Sequence, residues 1–185
     1  MNIIFIVFLG VAGVVILWFV TAYNGFIRLR NRSDEAESDI EVQLKRRFDL
    51  IPNLVEMVKG YMAHEKGVLE SVTTARTQAM GAQSIQGKSK ADNVLTGTLK
   101  TLFAVAENYP DLKANTNFLE LQRELADTEN KIQAARRFYN TNVMELNTKI
   151  DSFPSNIIAS SFKFKKKEFF DIPNEAEKEP ISVKF

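Results

Sequence analysis

The residues that most often do chemistry are scarce here and badly spaced for it. The chain has one histidine and no cysteine in 185 residues. His64-Glu65 begins like a zinc-binding HExxH helix, but Val68 and Leu69 stand where the second histidine would be. A single imidazole cannot supply the ligand set that zinc takes. A di-iron bundle needs two Glu-x-x-His pairs, and position 61 is tyrosine. Without cysteine, disulfides, thiolate metal sites and thiol nucleophiles are excluded. No Ser/His/Asp set, activated lysine or glycine-rich phosphate loop is present. The expectation is a protein without metal, cofactor or catalytic residues, and so not an enzyme.

What remains is charge beside aromatic rings. Residues 162–170 interleave Phe162, Phe164, Phe169 and Phe170 with Lys163, Lys165, Lys166 and Lys167. Lysines near an anionic leaflet contribute about 1 kcal/mol each, and phenylalanine buries in the headgroup region. The segment therefore reads as a membrane-surface contact. The competing reading is a set of rings that cap the membrane-proximal end of a bundle, with lysines that only solvate it. Arg28, Arg30 and Arg32 form a second basic group, assigned to the same surface. A third, Lys45-Arg46-Arg47, is read either as cations favouring a helix C-terminus or as a partner-binding tip. Asn140, Asn142 and Asn147 fit polar positions that fix register between helices. Glu65 falls on an apolar stripe and implies a buried or interhelical polar contact.

The elements that carry these residues begin with a membrane span. Ile3 to Val20 is apolar throughout, and no charge occurs before Arg28. A helix needs about 20 apolar residues to cross a hydrocarbon core of about 30 Å. A cleaved signal peptide is the rival, with Val20-Thr21-Ala22 as its cleavage site. The run lacks a basic n-region and exceeds the usual h-region length, which favours an anchor. The arginines on its C-terminal flank place the rest of the chain in the cytoplasm by the positive-inside rule, and Trp18, Phe19, Tyr23 and Phe26 form an interfacial aromatic group. The expected protein crosses a membrane once. Net charge is +1, which gives no electrostatic footprint for nucleic acid.

The division is 1–27 anchor, 28–152 helical bundle and 153–185 basic-aromatic segment and tail. The fold class is all-α: a transmembrane helix followed by an elongated, antiparallel up-down four-helix bundle. Periodicity predicts helices over about 25–48, 52–80, 89–106 and 117–151. Pro52 is read as a break, and Ser89-x-x-Asp92 as a capping box. By parity, the segment after Ile150 and the 81–87 loop lie near the bilayer, while Arg47–Pro52 and 108–115 form the far tip.

Several runs resemble the LemA family: Gln43-Leu-Lys-Arg-Arg47, Asp49-Leu-Ile-Pro-Asn-Leu-Val55, Tyr109-Pro-Asp-Leu-Lys-Ala114, Asn117-Phe-Leu-Glu-Leu-Gln122, Arg136-Arg-Phe-Tyr-Asn140 and Phe153-Pro-Ser-Asn-Ile-Ile-Ala159. The resemblance covers nearly the whole chain. It implies a bacterial single-pass membrane protein with a helical bundle, and it implies no settled activity. The family is similar to a magnetosome-membrane protein, which by analogy suggests organising membrane. The expected function is a membrane scaffold that self-associates, its partners being the lipid bilayer, other copies of itself and other membrane proteins. Ala75, Ala79 and Ala135 are expected on the surfaces where copies pack. The alternative is an adaptor or regulatory subunit of another membrane protein, such as a quality-control protease.

Overall fold

The computed structural model describes residues 3–170, so the tail Glu175–Phe185 lies outside the described residues. The chain forms α1 (Ile3–Lys59), α2 (Lys66–Gly81), α3 (Ile85–Ala106), α4 (Pro110–Lys113), α5 (Thr116–Asp151) and α6 (Ser155–Ser161). No strand occurs among the described residues, and the all-α class read from the sequence is the one observed. Two compact units result. One holds the chain up to Ser38 together with Arg137–Glu168; the other holds Asp39–Arg136 with Phe169 and Phe170. Helices α1 and α5 contribute to both.

The Asp39–Arg136 unit is a four-helix bundle. The second half of α1 supplies Ile51, Leu54 and Val58 to its core, α2 supplies Leu69, Val72, Ala75 and Ala79, α3 supplies Leu95, Leu99 and Leu102, and α5 supplies Phe118 and Leu125. Short connections make successive helices antiparallel neighbours. Pro110 opens α4, where its missing N–H costs nothing. Asn115 opens α5, its Oδ1 accepting from the backbone N–H groups of Asn117 (3.0 Å) and Phe118 (3.3 Å).

Pro52 does not break the chain. Helix α1 runs through it, and the reversal falls at residues 60–65. An interior proline costs about 3 kcal/mol, partly because the carbonyl four residues earlier loses its donor. That carbonyl belongs to Phe48, and Arg76 Nε on α2 donates to it at 2.7 Å. Continuing the helix also buries Leu54 and Val58, each contributing about 1.5–3 kcal/mol. Together these offset the proline.

The expected capping box is not a cap. Helix α3 starts at Ile85, with Ser84 as N-cap accepting from Gly87 N at 3.0 Å. A Cβ on Gly87 would come within 2.9 Å of that hydroxyl, so glycine suits the position. Ser89 and Asp92 lie inside α3 and are buried. The alanines differ from expectation as well: Ala75 and Ala79 are 3% and 5% exposed within the bundle core and are not available for packing between copies. The 81–87 loop belongs to the Asp39–Arg136 unit, because α2 is only 16 residues long.

Candidate functional site

The N-terminal part of α1 is apolar and long enough to cross a membrane, and none of that stretch is buried against the rest of the described chain. The same helix then enters folded structure without interruption. Phe26, Leu146, Ile158 and Ala159 form a buried cluster, with Ala22, Tyr23, Leu29, Ile150 and Phe164 packed around it.

The 162–168 segment folds back on the exit of the apolar run. The Phe162 ring meets Tyr23 edge-on at 4.8 Å and Phe19 at 5.9 Å, and Phe164 stacks on Phe26 at 4.7 Å. These two rings therefore pack on α1, as the capping reading expected. Phe170 is 1% exposed, with the Arg136 guanidinium 4.7 Å above its ring, so it is not a membrane-surface residue. The guanidinium over the ring face adds an electrostatic contact to that burial. Phe169 is 45% exposed.

The lysines divide into two groups. Lys166 pairs with Asp151 at 2.7 Å, and Lys167 with Asp34 at 2.6 Å and Glu37 at 3.1 Å. Burial pulls the Lys167 ammonium down, but the two carboxylates outweigh it and hold it above the ordinary lysine value. Asn147 clamps the same residue: its Nδ2 donates to Lys167 O at 2.9 Å, and its Oδ1 accepts from Lys167 N at 3.0 Å. The Tyr139 hydroxyl donates to Glu168 O at 2.9 Å, and burial pushes its phenol up. Asn147 thus positions a non-helical segment rather than fixing register against a facing helix. Asn142 instead donates to Phe138 O within its own helix, at 2.8 Å. Lys163 and Lys165 are exposed, as are Arg28, Arg30 and Arg32. Lys149 lies 4.8 Å over the Phe26 ring beside Gly25, where burial and then Arg28 pull its ammonium down.

Lys45-Arg46-Arg47 lies inside α1, well before the reversal at residues 60–65. Lys45 is exposed and pairs with Asp49 at 2.7 Å. Arg46 is exposed, but Arg47 is 3% exposed and points into the bundle, so the three do not form a tip. Arg47 Nη1 donates to Asp92 Oδ1 at 2.9 Å and to Glu129 Oε2 at 2.7 Å. Arg136 Nη2 donates to the other Asp92 oxygen. Two guanidiniums and two carboxylates cancel, so the cluster is electrically closed. Burial pushes the Asp92 carboxyl up against the pull of both arginines, and burial likewise pulls Arg136 down. The Nε atoms of Arg47 and Arg136 have no acceptor among the described residues. Such a cluster specifies one register more than it adds stability.

Sequence reasoning missed this cluster. Its signal was spacing: Arg47 sits between Leu44 and Ile51, Asp92 three residues before Leu95, and Arg136 between Ile132 and Tyr139, all on buried stripes. Glu65 lies at the reversal before α2 and not within a helix, and it accepts from the hydroxyl of Tyr109, the residue before α4, at 3.2 Å. Two apolar residues also went unassigned: Phe153 and Ile157 are 81% and 57% exposed in the unit that carries the apolar helix.

The fold and the apolar helix define a membrane-associated, all-helical protein whose anchor runs directly into folded helical structure. The chain belongs to the LemA family, whose family model matches residues 36–185. It is 29% identical over 157 residues to Protein LemA of Metamycoplasma hominis, covering 82% of this chain and 70% of that one. It is 24% identical over 177 residues to Magnetosome protein MamQ 2 of Paramagnetospirillum magneticum, and 23% identical over 174 residues to Magnetosome protein MamQ of Magnetospirillum gryphiswaldense. Each match covers 80% of this chain and spans 64% of the relative's length.

Proposed function

We propose that this protein is a membrane-anchored helical scaffold that organises membrane or membrane proteins by self-association. The observation that carries the reading is the continuity of α1, Ile3–Lys59, from an unburied apolar stretch into the core of the bundle. No linker separates the apolar stretch from the packed residues Phe26 and Leu29 that follow it on the same helix. Gly10 and Gly13 have open space where a Cβ would stand, which permits close approach of a neighbouring membrane helix. The resemblance to magnetosome proteins favours the same role.

In this reading the chain is a single-pass protein of the bacterial inner membrane, with Arg28, Arg30 and Arg32 on the cytoplasmic side. Lys163 and Lys165 add to the surface contact. The protein has no catalytic role, cofactor or nucleic-acid partner.

Gentle extraction of the full-length protein from native membrane, followed by mass measurement and electron microscopy, tests the proposal. A regular homo-oligomer is expected. A monomer, or a fixed complex with a different protein, overturns self-assembly and leaves an adaptor role.

A further inference from the structure

A cleft of about 360 Å³ lies beside the exit of the apolar run. Tyr23, Ile27 and Phe162 give it an apolar-aromatic floor, and Arg30, Lys163 and Lys165 supply cations. These three cations make no ion pair among the described residues, whereas the adjoining Lys166 and Lys167 are both paired. Asp34 also lines the cleft, but its carboxylate is taken by Lys167. The unbalanced charge in the cleft is therefore positive.

Lys163 has a left-handed backbone, with φ 57°. That conformation is uncommon for a residue with a Cβ and costs free energy unless its surroundings enforce it. Here Phe164 N donates to Ala159 O at 2.9 Å, and Phe162 and Phe164 are held against Tyr23 and Phe26. The turn thus keeps a lysine in a sparsely populated conformation at the cleft.

We propose that this cleft binds the phosphate of an anionic phospholipid from the leaflet at the C-terminal end of the span. The inference rests on the bilayer-anchored reading above. The occupant follows from continuity. Tyr23 and Ile27 belong to the uncharged run that ends at Arg28, so the cleft opens at headgroup depth. The exposed Phe153 and the Ile157 side chain of α6 are apolar groups at the same end, since Ile158 packs in the cluster of Ala22, Tyr23 and Phe26. The guanidinium and the two ammonium groups take the phosphate oxygens, and the aromatic floor meets the glycerol and upper acyl chain.

The test is native mass spectrometry of the full-length protein released from micelles doped with phosphatidylglycerol or phosphatidylcholine. Bound phosphatidylglycerol is expected to exceed phosphatidylcholine by about tenfold or more, given the attraction of each cation for anionic lipid. The triple variant R30Q/K163Q/K165Q is expected to lose that preference. The control K90Q/K100Q, which removes two exposed lysines from α3, is expected to keep it. No preference in the wild type, or equal loss in the control, overturns the cleft. Inorganic phosphate that binds as tightly as phosphatidylglycerol overturns the lipid assignment. Helical circular dichroism of each variant confirms folding. Carbonate extraction of the membranes separates the two readings: protein that washes off refutes the anchor, whereas protein that stays but shows no lipid preference refutes the cleft alone.

Discussion

Arg76 Nε donates to the carbonyl oxygen of Phe48 at 2.7 Å, supplying the hydrogen bond that Pro52, four residues further on, cannot. A side chain from α2 thereby completes the backbone of α1. The pairing predicts non-additivity. R76A leaves a half-buried carbonyl without its donor and should destabilise by about 1–3 kcal/mol. In a P52A background the new N–H at position 52 takes that carbonyl, and the cost of R76A should fall below half. Denaturant unfolding of the four proteins in micelles measures the cycle. Equal costs in both backgrounds would show that Arg76 does not stand in for the missing donor.

Asp92 accepts from two buried guanidiniums, and D92N should cost about 1–3 kcal/mol at pH 7 because the amide replaces one acceptor oxygen with an N–H donor that faces a guanidinium. The pH dependence has a defined sign. Burial raises the Asp92 carboxyl in the folded state above its ordinary value, with Arg47 and Arg136 opposing. A raised folded-state value contributes stability that is fully present below the ordinary value and is lost as pH rises through the raised one. D92N lacks that contribution. The gap between wild type and D92N should therefore be wider near pH 4 than at pH 7. A gap wider at pH 7 would mean that ion pairing outweighs burial.

Asn147 clamps both peptide groups of Lys167, so N147A should free the 162–168 segment without melting the bundle. Two hydrogen bonds of about 1 kcal/mol each imply that exchange of the Lys167 amide rises by roughly tenfold or more. Hydrogen exchange read by mass spectrometry checks this, with the α3 amides as internal reference. Unchanged exchange at Lys167 would show that the stacked rings, and not Asn147, hold the segment.

Sidedness is testable because the chain has no cysteine. The structure guides the choice of sites. Lys88 is paired with Glu41 and its side chain is 17% exposed, while Asn115 caps α5, so neither is a neutral place for a probe. Lys90 and Lys100 are exposed on α3. K90C and K100C should react with an impermeant thiol reagent only after cells are opened. Labelling of intact cells would place the domain outside the cytoplasm.

The sequence by itself determined the apolar span, the all-α class and most of α5, because each is written in local properties: length, charge and a 3.6-residue period. It also showed that Glu65 and Asn147 would need polar partners. Tertiary structure decided what local rules cannot see. Pro52 reads as a break until Arg76, which lies 28 residues beyond Phe48 in sequence, is placed beside it. Ser89-x-x-Asp92 has the pattern of a cap, and Lys45-Arg46-Arg47 that of a solvated basic run, until Arg47 and Arg136 converge on Asp92. Phe162 and Phe164 have the composition of a membrane-binding segment, yet Tyr23 and Phe26 take them first. In each case the deciding partner is distant in sequence, and burial reverses what a charge, a proline or an exposed ring would do alone in water.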